Sequence, residues 1–515
     1  MNPILLFFLA LLPIVWLIFA LTGLKMIAYK ACLGALGISA VLALFVWKMA
    51  PLDCFTAALE GAALALWPII LVIIAALFTY NLTLRTGAMD DIKYMISGIS
   101  TDKRILVLLI GWCFGGFLEG IAGFGTAVAI PASMLIALGF EPLPAAVACL
   151  VSNAMPTAFG SIGIPTMTLS QITKLDILSL SFSTILQMLP ILLLTPFIMV
   201  ALTGKSFRAL RGIWPVVLTA GLSFIIPAVL VARFLGAELP VIVGSVCSLG
   251  ATVLAAKRHS KKATPAEYAI SGNAGITRTL SPKRALIAWA PFILIFVFLL
   301  LTSSLLPSLH NALASVKTAV TIYSGEVAAP YTFVWLATPG VLIFIAALIG
   351  GTIQGAKASV MLSVFKDTVV GTAKTIFTIL SILATAKIMS YSGMISAIAV
   401  QAAAYTGRFY PVISPIIGAL GSFVTGSGTS SSVLFGKLQV EAAVAVGADP
   451  VLLAASNTVG AGIGKIISPQ CISIAVAATG LAGQEGELLR RTVKWALVML
   501  VVACAVSALS GIVLA

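Results

Sequence analysis

The sequence predicts an all-α polytopic membrane protein with about 12–14 transmembrane segments, built as two inverted-topology repeats with re-entrant hairpins and broken helices. Three observations predict this fold. Of the 515 residues, 60% are hydrophobic and only 9% are charged. Apolar runs of near twenty residues recur along the chain, and each is long enough to cross a bilayer as a helix. One pattern of Gly, Ser, Thr, Asn and Pro occurs twice within apolar segments.

The apolar runs divide the chain into four regions. We predict an N-terminal helix pair at 1–58, a first inverted repeat at 59–204, intervening transmembrane helices at 205–366 and a second inverted repeat at 367–515. The first run begins MNPILLFF, without a basic n-region or a clear cleavage site, so we interpret it as a retained helix. The continuous spans are predicted at 3–22, 31–50, 62–84, 178–203, 213–235, 239–256, 285–306, 332–353, 367–388 and 493–514.

The doubled pattern is the strongest indication of function. FLEGIAGFG…VSNAMPTAFGSIGIP occupies 117–165, and FVTGSGTSS…ASNTVGAGIGKIISP occupies 423–469. Asn153 and Asn457 are 304 positions apart, and the other landmarks keep nearly the same offset. Because irregular backbone is not tolerated against lipid, such segments must be buried in protein or line a polar cavity. Paired interrupted segments in two halves of a chain indicate the binding site of a transporter.

Basic residues predict that the two repeats run in opposite directions across the membrane. Lys and Arg favour the cytoplasmic side of short loops, and they gather near the start of the first repeat and the end of the second. The count of spans then places the N-terminus outside, in the periplasm, with Lys25 and Lys30 in the first cytoplasmic loop. Further cytoplasmic positions are Arg85, Lys93, Lys103, Arg104, Lys205, Arg208, Arg211, Lys257, Arg258, Lys261, Lys262, Lys283, Arg284, Arg490, Arg491 and Lys494.

Loop lysines and arginines also account for the net charge of +14, so we predict no nucleic-acid partner. The partners expected are the lipid bilayer, a small anion and protons, and a homo-oligomer is compatible with the sequence. The two histidines, His259 and His310, lie far from the doubled motif, and the seven cysteines show no metal or disulfide spacing. We therefore predict no enzyme activity, no metal site and no cofactor.

The second copy contains a hydroxyl-rich stretch, TGSGTSSS, at 425–432. A helix that begins here would direct its free N–H groups and the positive end of its dipole at a bound anion. The alternative is that the hydroxyls bond to their own helix or allow close packing. We expect five of these residues to bind substrate: Thr425, Ser427, Thr429, Ser430 and Ser431.

The first copy carries Glu119 where the second carries Thr425, followed by Gly123 and Gly125. A carboxyl group at membrane depth is costly and is a functional-site hypothesis by default. We predict that Glu119 carries the coupled proton and that both glycines contribute to the substrate site. The alternative is that Glu119 is a structural partner for a buried cation.

The second break in each repeat contains the dipeptide Ser-Asn. We expect Ser152 and Asn153 of the first copy, with Asn457 and Thr458 of the second, to bind the substrate through hydroxyl and amide groups. Lys465 occurs in the second copy alone. It can attract an anionic substrate, pair with Glu119 across the site, or snorkel to the membrane interface.

The stretches GWCFGGFLEGIAGFGTAVAI, TGSGTSSSVLF and SNT…GKIISPQ resemble the bacterial L-lactate permease family over nearly the whole chain. The resemblance implies an inner-membrane symporter that imports L-lactate, and often glycolate or related 2-hydroxy monocarboxylates, with protons. It also implies kinship with ion-coupled anion transporters in which a transport domain moves against a fixed scaffold.

We therefore predict a secondary active transporter that imports L-lactate, and glycolate or other 2-hydroxy monocarboxylates, by proton symport through an elevator-like alternating-access mechanism. The alternative is a sodium-coupled or proton-coupled transporter of another small organic anion, such as a dicarboxylate. One lysine and no arginine in the broken segments favours a single negative charge.

Overall fold

The computed structural model describes residues 2–513 except 25, 124, 260–263, 271–280, 303–305, 327, 329 and 482–483. Lys25, Lys261 and Lys262, three of the residues behind the predicted orientation, lie outside the described residues. The chain is mostly helical, as predicted, and begins with two helices. These are α1 (Pro3–Ile18), which continues as a π-helical turn (Phe19–Gly23), and α2 (Ala28–Phe45).

A first series of elements follows. Two π-helical stretches, Ala65–Ile70 and Val107–Phe114, join successive helices, and a 3-10 turn at Pro156–Phe159 precedes the last broken helix. The helices are α3 (Pro51–Leu64), α4 (Leu71–Arg85), α5 (Ala88–Ser97), α6 (Lys103–Leu106), α7 (Gly115–Ile121), α8 (Thr126–Ala137), α9 (Pro142–Ser152), α10 (Gly160–Thr173) and α11 (Ile177–Thr203).

The intervening region contains helices and one small sheet. Strands β1 (Lys317–Val320) and β2 (Tyr331–Val334) pair antiparallel, with Lys317 opposite Val334. The predicted span 332–353 is therefore wrong at its start, because its first residues belong to β2 and the helix begins at Pro339. The helices are α12 (Trp214–Phe234), α13 (Pro240–His259), α14 (Pro282–Leu301), α15 (Pro307–Ala314) and α16 (Pro339–Ile353), with 3-10 turns at Phe207–Leu210 and Ala266–Tyr268.

The last region repeats the element order of the first series. A long helix is followed by a short one, a hairpin of two helices, a bent pair and a final long helix. The two series begin at Pro51 and Ala358, eight and nine residues before the predicted repeat boundaries. The elements are α17 (Ala358–Ser392), α18 (Met394–Thr406), a 3-10 turn (Gly407–Phe409), α19 (Tyr410–Thr425), α20 (Gly428–Val446), α21 (Pro450–Lys465), α22 (Pro469–Thr479) and α23 (Glu485–Val513).

Ten helices in the described part of the chain are long and apolar enough to cross a membrane, and the number rises to twelve if each bent pair counts as one span. The bent pairs are Pro142–Ser152 with Pro156–Thr173, at 52°, and Pro450–Lys465 with Pro469–Thr479, at 40°. Both bends fall within the doubled motif. The polytopic helical fold is confirmed, and the count reaches the lower end of the predicted range. The inverted orientation of the repeats stays a prediction.

The first series contains a further break, inside α10. Ser161, Ile162 and Gly163 adopt positive φ angles of 45°, 59° and 77° within α10. A β-branched residue such as Ile162 strongly disfavours this region, so the surrounding packing must hold it there. Ile162 is fully buried. The second series has no such segment, because α21 stays helical to Lys465 before α22 begins at Pro469.

Glycines bring α19 and α21 close together. A Cβ added at Gly460 would overlap the backbone oxygen of Pro415, and one added at Gly464 would overlap that of Ala419. Small residues that let two helix backbones approach are characteristic of helix pairs in membranes. Lys465, the residue after Gly464, is buried next to this close contact between α19 and α21.

Candidate functional site

A cavity of about 120 Å³ lies where the two series of elements meet. Its walls come from the broken segments of both series and from the long helix α17, which contributes Thr375 and Thr378. The remaining lining residues that bear polar side chains are Glu119, Thr157, Ser161, Thr425, Ser427, Thr429, Ser430, Lys465 and Gln470. The cavity is small, and its wall combines these polar groups with apolar side chains such as Ile73, Ile379 and Ile474, which suits a small organic anion.

An ion pair joins the two series at this cavity. Lys465 Nζ lies 2.5 Å from Glu119 Oε1, and the two side chains are 7% and 2% exposed. The pairing of Glu119 with Lys465, one of the alternatives left open by the sequence, is thus observed, whereas snorkelling of Lys465 is not. The site carries one positive and one negative charge, so it is neutral as a unit.

Thr157 completes this cluster. Lys465 Nζ donates to Thr157 Oγ1 at 3.2 Å, and Thr157 Oγ1 donates to the backbone oxygen of Asn153 at 2.7 Å and to Glu119 Oε1 at 3.4 Å. Glu119 Oε2 is buried and has no partner among the described residues. Gly160 leaves room for the carboxylate, because a Cβ there would lie 2.7 Å from Glu119 Oε1.

The position of Lys465 is favourable for a buried cation. It is the last residue of α21, where the backbone carbonyls and the helix dipole stabilise positive charge. Removing one partner of a buried ion pair costs about 3–5 kcal/mol, because the other charge is left without compensation. Lys465 and Glu119 therefore each need the other, or a substitute of the same charge.

The hydroxyl-rich stretch at 425–432 forms another part of the cavity wall. A helix does begin there, since α20 starts at Gly428 with Ser427 as its N-cap. Ser427 Oγ accepts from the backbone N–H of Ser430 at 3.2 Å. Within the described residues, the hydroxyls of Thr429 and Ser430 have no protein partner, and both residues line the cavity. This N-terminus offers N–H groups, hydroxyls and a positive dipole end to an anion.

The structure brings seven of the thirteen predicted site residues to the cavity and places six elsewhere. Those that line it are Glu119, Gly125, Thr425, Ser427, Thr429, Ser430 and Lys465. Those outside its lining are Gly123, Ser152, Asn153, Ser431, Asn457 and Thr458. The role of each in substrate or proton binding stays a prediction.

The six residues outside the lining mostly bond to the protein. Three hydroxyls donate to backbone oxygens: Ser152 to Gly111 and Cys149, Ser431 to Gly418, and Thr458 to Ala454. Gly123 has a φ angle of 61° and forms the turn between α7 and α8.

The two asparagines differ from the other residues outside the lining. Asn457 Oδ1 accepts from Gln439 Nε2 at 3.3 Å, whereas both amide atoms of Asn153 are buried without a partner in the described part of the chain. Asn153 lies four residues before Thr157, whose hydroxyl donates to its backbone oxygen. Asn153 therefore helps to position Thr157 and does not itself line the cavity.

Sequence reasoning missed Thr157, Ser161, Gln470, Thr375 and Thr378. Thr157 follows Pro156 in the first broken segment, so its position in the doubled motif was a usable signal. Gln470 follows Pro469 in the same way in the second copy. Thr375 and Thr378 lie within a continuous apolar helix, where nothing in the sequence separates cavity-lining hydroxyls from those that bond to their own helix.

The donor set does not suit a metal. Among the residues that the structure describes, no group of three or more His, Cys, Asp or Glu side chains could hold a metal ion. One carboxylate, one ammonium group and several hydroxyls can bind a small anion and exchange a proton. The fold and this cavity define a polytopic membrane transporter.

The chain belongs to the L-lactate permease family, which it matches over residues 6–514. It is 46% identical over 449 residues to an L-lactate permease of Streptococcus iniae, a comparison that covers 87% of this chain and 93% of the relative. It is 36% identical to an L-lactate permease of Escherichia coli (strain K12), covering 98% and 96% of the two chains. It is 35% identical to the glycolate permease GlcA of the same strain, covering 95% and 92%.

The family resemblance drawn from the motifs is thereby confirmed. These relatives are permeases rather than enzymes, and a multi-span protein of a bacterial permease family belongs in the inner membrane. The fold is also similar to that of Neisseria gonorrhoeae MtrF, described as one of a class of antimetabolite efflux pumps. That structure has a TM-score of 0.53 and 13% identity, and the comparison covers 94% of this chain and 95% of the other. At this identity the similarity concerns the fold alone.

Proposed function

We propose that this protein imports L-lactate, together with glycolate and related 2-hydroxy monocarboxylates, by symport with protons. The names of its relatives support the substrate class. The observation that carries the coupling is the buried contact of 2.5 Å between Glu119 and Lys465 in the cavity wall. The free energy comes from the proton gradient, without a cofactor.

The coupling follows from counting charges in the buried site. Without ligand, Glu119 and Lys465 sum to zero. A monocarboxylate that binds Lys465 adds one negative charge, and a proton on Glu119 restores neutrality. The states with both ligands or with neither are neutral, whereas the states with one ligand carry a net charge. Because burying an unpaired charge is costly, only the neutral states cross the membrane readily.

The substrate anion is expected between Lys465 and the start of α20. Its carboxylate takes the place of Glu119 beside the ammonium group, and the N–H groups of α20 stabilise its second oxygen. The hydroxyls of Thr429 and Ser430 can bond to the 2-hydroxyl group, since a hydroxyl both donates and accepts. A dicarboxylate would bring a second negative charge that no described cation in the wall compensates.

We further propose an elevator-like movement between two parts of the protein. The broken segments, which hold Glu119, Thr157 and Lys465, form the moving part. The long helix α17 and its neighbour α2 supply the facing wall through Thr375, Thr378 and Ala28. The matching element order of the two series supports a pair of repeats, and the distribution of loop charges supports opposite orientations and an external N-terminus.

The test is uptake of labelled L-lactate into proteoliposomes with imposed pH or sodium gradients. An inward proton gradient should drive uptake that a protonophore abolishes, and a sodium gradient alone should not. Unlabelled glycolate should compete, and succinate should not. Uptake that requires sodium and ignores the protonophore would contradict the proton coupling. If succinate inhibited lactate uptake at the same concentration at which glycolate does, the dicarboxylate alternative would be favoured.

A further inference from the structure

A second cavity, of about 500 Å³, lies next to the first one. The helices α10, α17 and α20 contribute to the walls of both cavities. Its wall contains three lysines from three elements: Lys174 at the end of α10, Lys387 of α17 and Lys437 of α20. In the described part of the chain, no carboxylate lines it. A cavity lined by one sign of charge concentrates ions of the opposite sign.

The two cavities share walls. On α17, Thr378 lines the first and Lys387 the second, which is nine residues or roughly 14 Å along a helix. On α20, Ser430 lines the first and Val433 the second, less than one turn apart. The helix α10 likewise runs from the first cavity, at its Pro165, to the second, at Ile172 and Lys174.

Two of the three lysines, Lys387 and Lys437, bond to protein side chains. Lys387 Nζ lies 2.6 Å from Glu60 Oε1, which also accepts from Tyr391 at 2.9 Å, so its charge is largely neutralised. Lys437 Nζ donates to Ser390 Oγ at 2.7 Å, with Glu441 one turn further on α20.

Lys174 has no ion-pair partner among the described residues. It has a φ angle of 63°, and it also lines a third cavity, of about 220 Å³, under the β1–β2 hairpin. The nearest acidic residue in sequence, Asp176, already accepts from the Ser179 N–H and hydroxyl. Lys174 is thus the least compensated of the three cations.

We propose that this lysine-lined cavity is an antechamber in which the anionic substrate first binds before it reaches Glu119 and Lys465. The predicted orientation places it on the outer face, where an imported substrate arrives. The identity of the anion rests on the proposed function, whereas the attraction of anions does not. Such a site increases the rate of encounter and acts through electrostatic potential, so salt must weaken it.

One test measures initial uptake of labelled L-lactate into right-side-out membrane vesicles. Lys174→Gln should raise KM by about two- to fourfold at 10 mM ionic strength and leave kcat unchanged. At 150 mM, where the screening length is about 8 Å, the difference should largely disappear. Lys174→Arg should behave as the unsubstituted protein. Lys205→Gln is the matched control, because Lys205 also has a positive φ, of 55°, but pairs with Glu141 and lines neither cavity.

A second measurement does not depend on transport. Ser392 lines the second cavity, so Ser392→Cys in a Cys247→Ser, Cys471→Ser, Cys504→Ser background places a reactive thiol there, because the remaining native thiols are buried and line neither cavity. The measured quantity is the ratio of its reaction rate with an anionic methanethiosulfonate reagent to that with a cationic one. At 10 mM ionic strength this ratio should be at least about threefold larger than the same ratio for a free thiol in solution. Lys174→Gln should reduce this preference.

The outcomes separate the two proposals. Failure of the unsubstituted protein to take up lactate would contradict the proposed function. Normal uptake with an unchanged KM in Lys174→Gln at 10 mM ionic strength would overturn the antechamber. A Ser392→Cys thiol without preference for the anionic reagent would also overturn it.

Discussion

The energetics of the Glu119–Lys465 pair give the sharpest prediction about stability. Lys465→Met leaves a carboxylate that is 2% exposed without its cation, and Glu119→Gln leaves an ammonium group without its anion. Each single substitution should lower the free energy of unfolding by about 3–5 kcal/mol. The double substitution should cost far less than the sum, because both desolvation penalties disappear together. The coupling energy should therefore reach about 3 kcal/mol.

The assay is equilibrium unfolding by denaturant in detergent micelles, followed by tryptophan fluorescence, with recovery on refolding checked for every variant so that each transition gives a free energy of unfolding. The Lys205–Glu141 pair is the matched control. Its atoms are 2.6 Å apart, but its side chains are 65% and 62% exposed, so the same cycle should give less than about 1 kcal/mol. The reasoning is refuted if Lys465→Met is no more destabilising than Lys205→Met, or if the double substitution costs the sum of the single ones.

Three further predictions concern the surroundings of the site. Thr157→Val should raise the lactate KM about tenfold or more in uptake assays, since it removes a hydrogen bond to a buried charge, and Thr157→Ser should restore it. Gly460→Ala should lower the melting midpoint, at a cost of about 1–3 kcal/mol, because its Cβ would overlap the backbone oxygen of Pro415. The Ser179 N–H lowers the pKa of Asp176 at the start of α11, so its contribution is present above the unfolded pKa and is lost as pH falls through the folded value. Asp176→Asn should therefore flatten the acid limb of a melting-midpoint profile below about pH 4.

Much of the site could be predicted from the sequence because its chemistry is unusual for a membrane segment. Glu119 and Lys465 stand out, since ionisable groups are rare at that depth, and the pair was among the predicted arrangements. The α20 start was predictable because glycine and hydroxyl residues interrupt an apolar run there. The residues that lie against the site from α17 were not predictable, since Thr375 and Thr378 follow no pattern that distinguishes a cavity wall from a helix interior.

The repeated motif did not predict which of its residues line the cavity. The paired Ser-Asn dipeptides were predicted to bind the substrate, but the first asparagine directly follows the end of α9 while the second lies within α21. Neither lines the cavity. The first copy leaves the α-helix after Ser152 and is broken again at 161–163, whereas the second stays helical as far as Lys465. A repeat fixes which elements occur, and local backbone chemistry decides where each one breaks.

In the proposed mechanism, Glu119 carries the proton that keeps the loaded site neutral. The most direct test of this role is the steady-state accumulation of labelled L-lactate in proteoliposomes as a function of the imposed pH difference, with Glu141→Gln as the surface control. One proton per anion should give about tenfold accumulation per pH unit, independent of membrane potential, since tenfold is 1.4 kcal/mol. Glu119→Gln should show no accumulation but should still exchange labelled for unlabelled lactate. Accumulation by Glu119→Gln that still follows the pH difference would contradict the account.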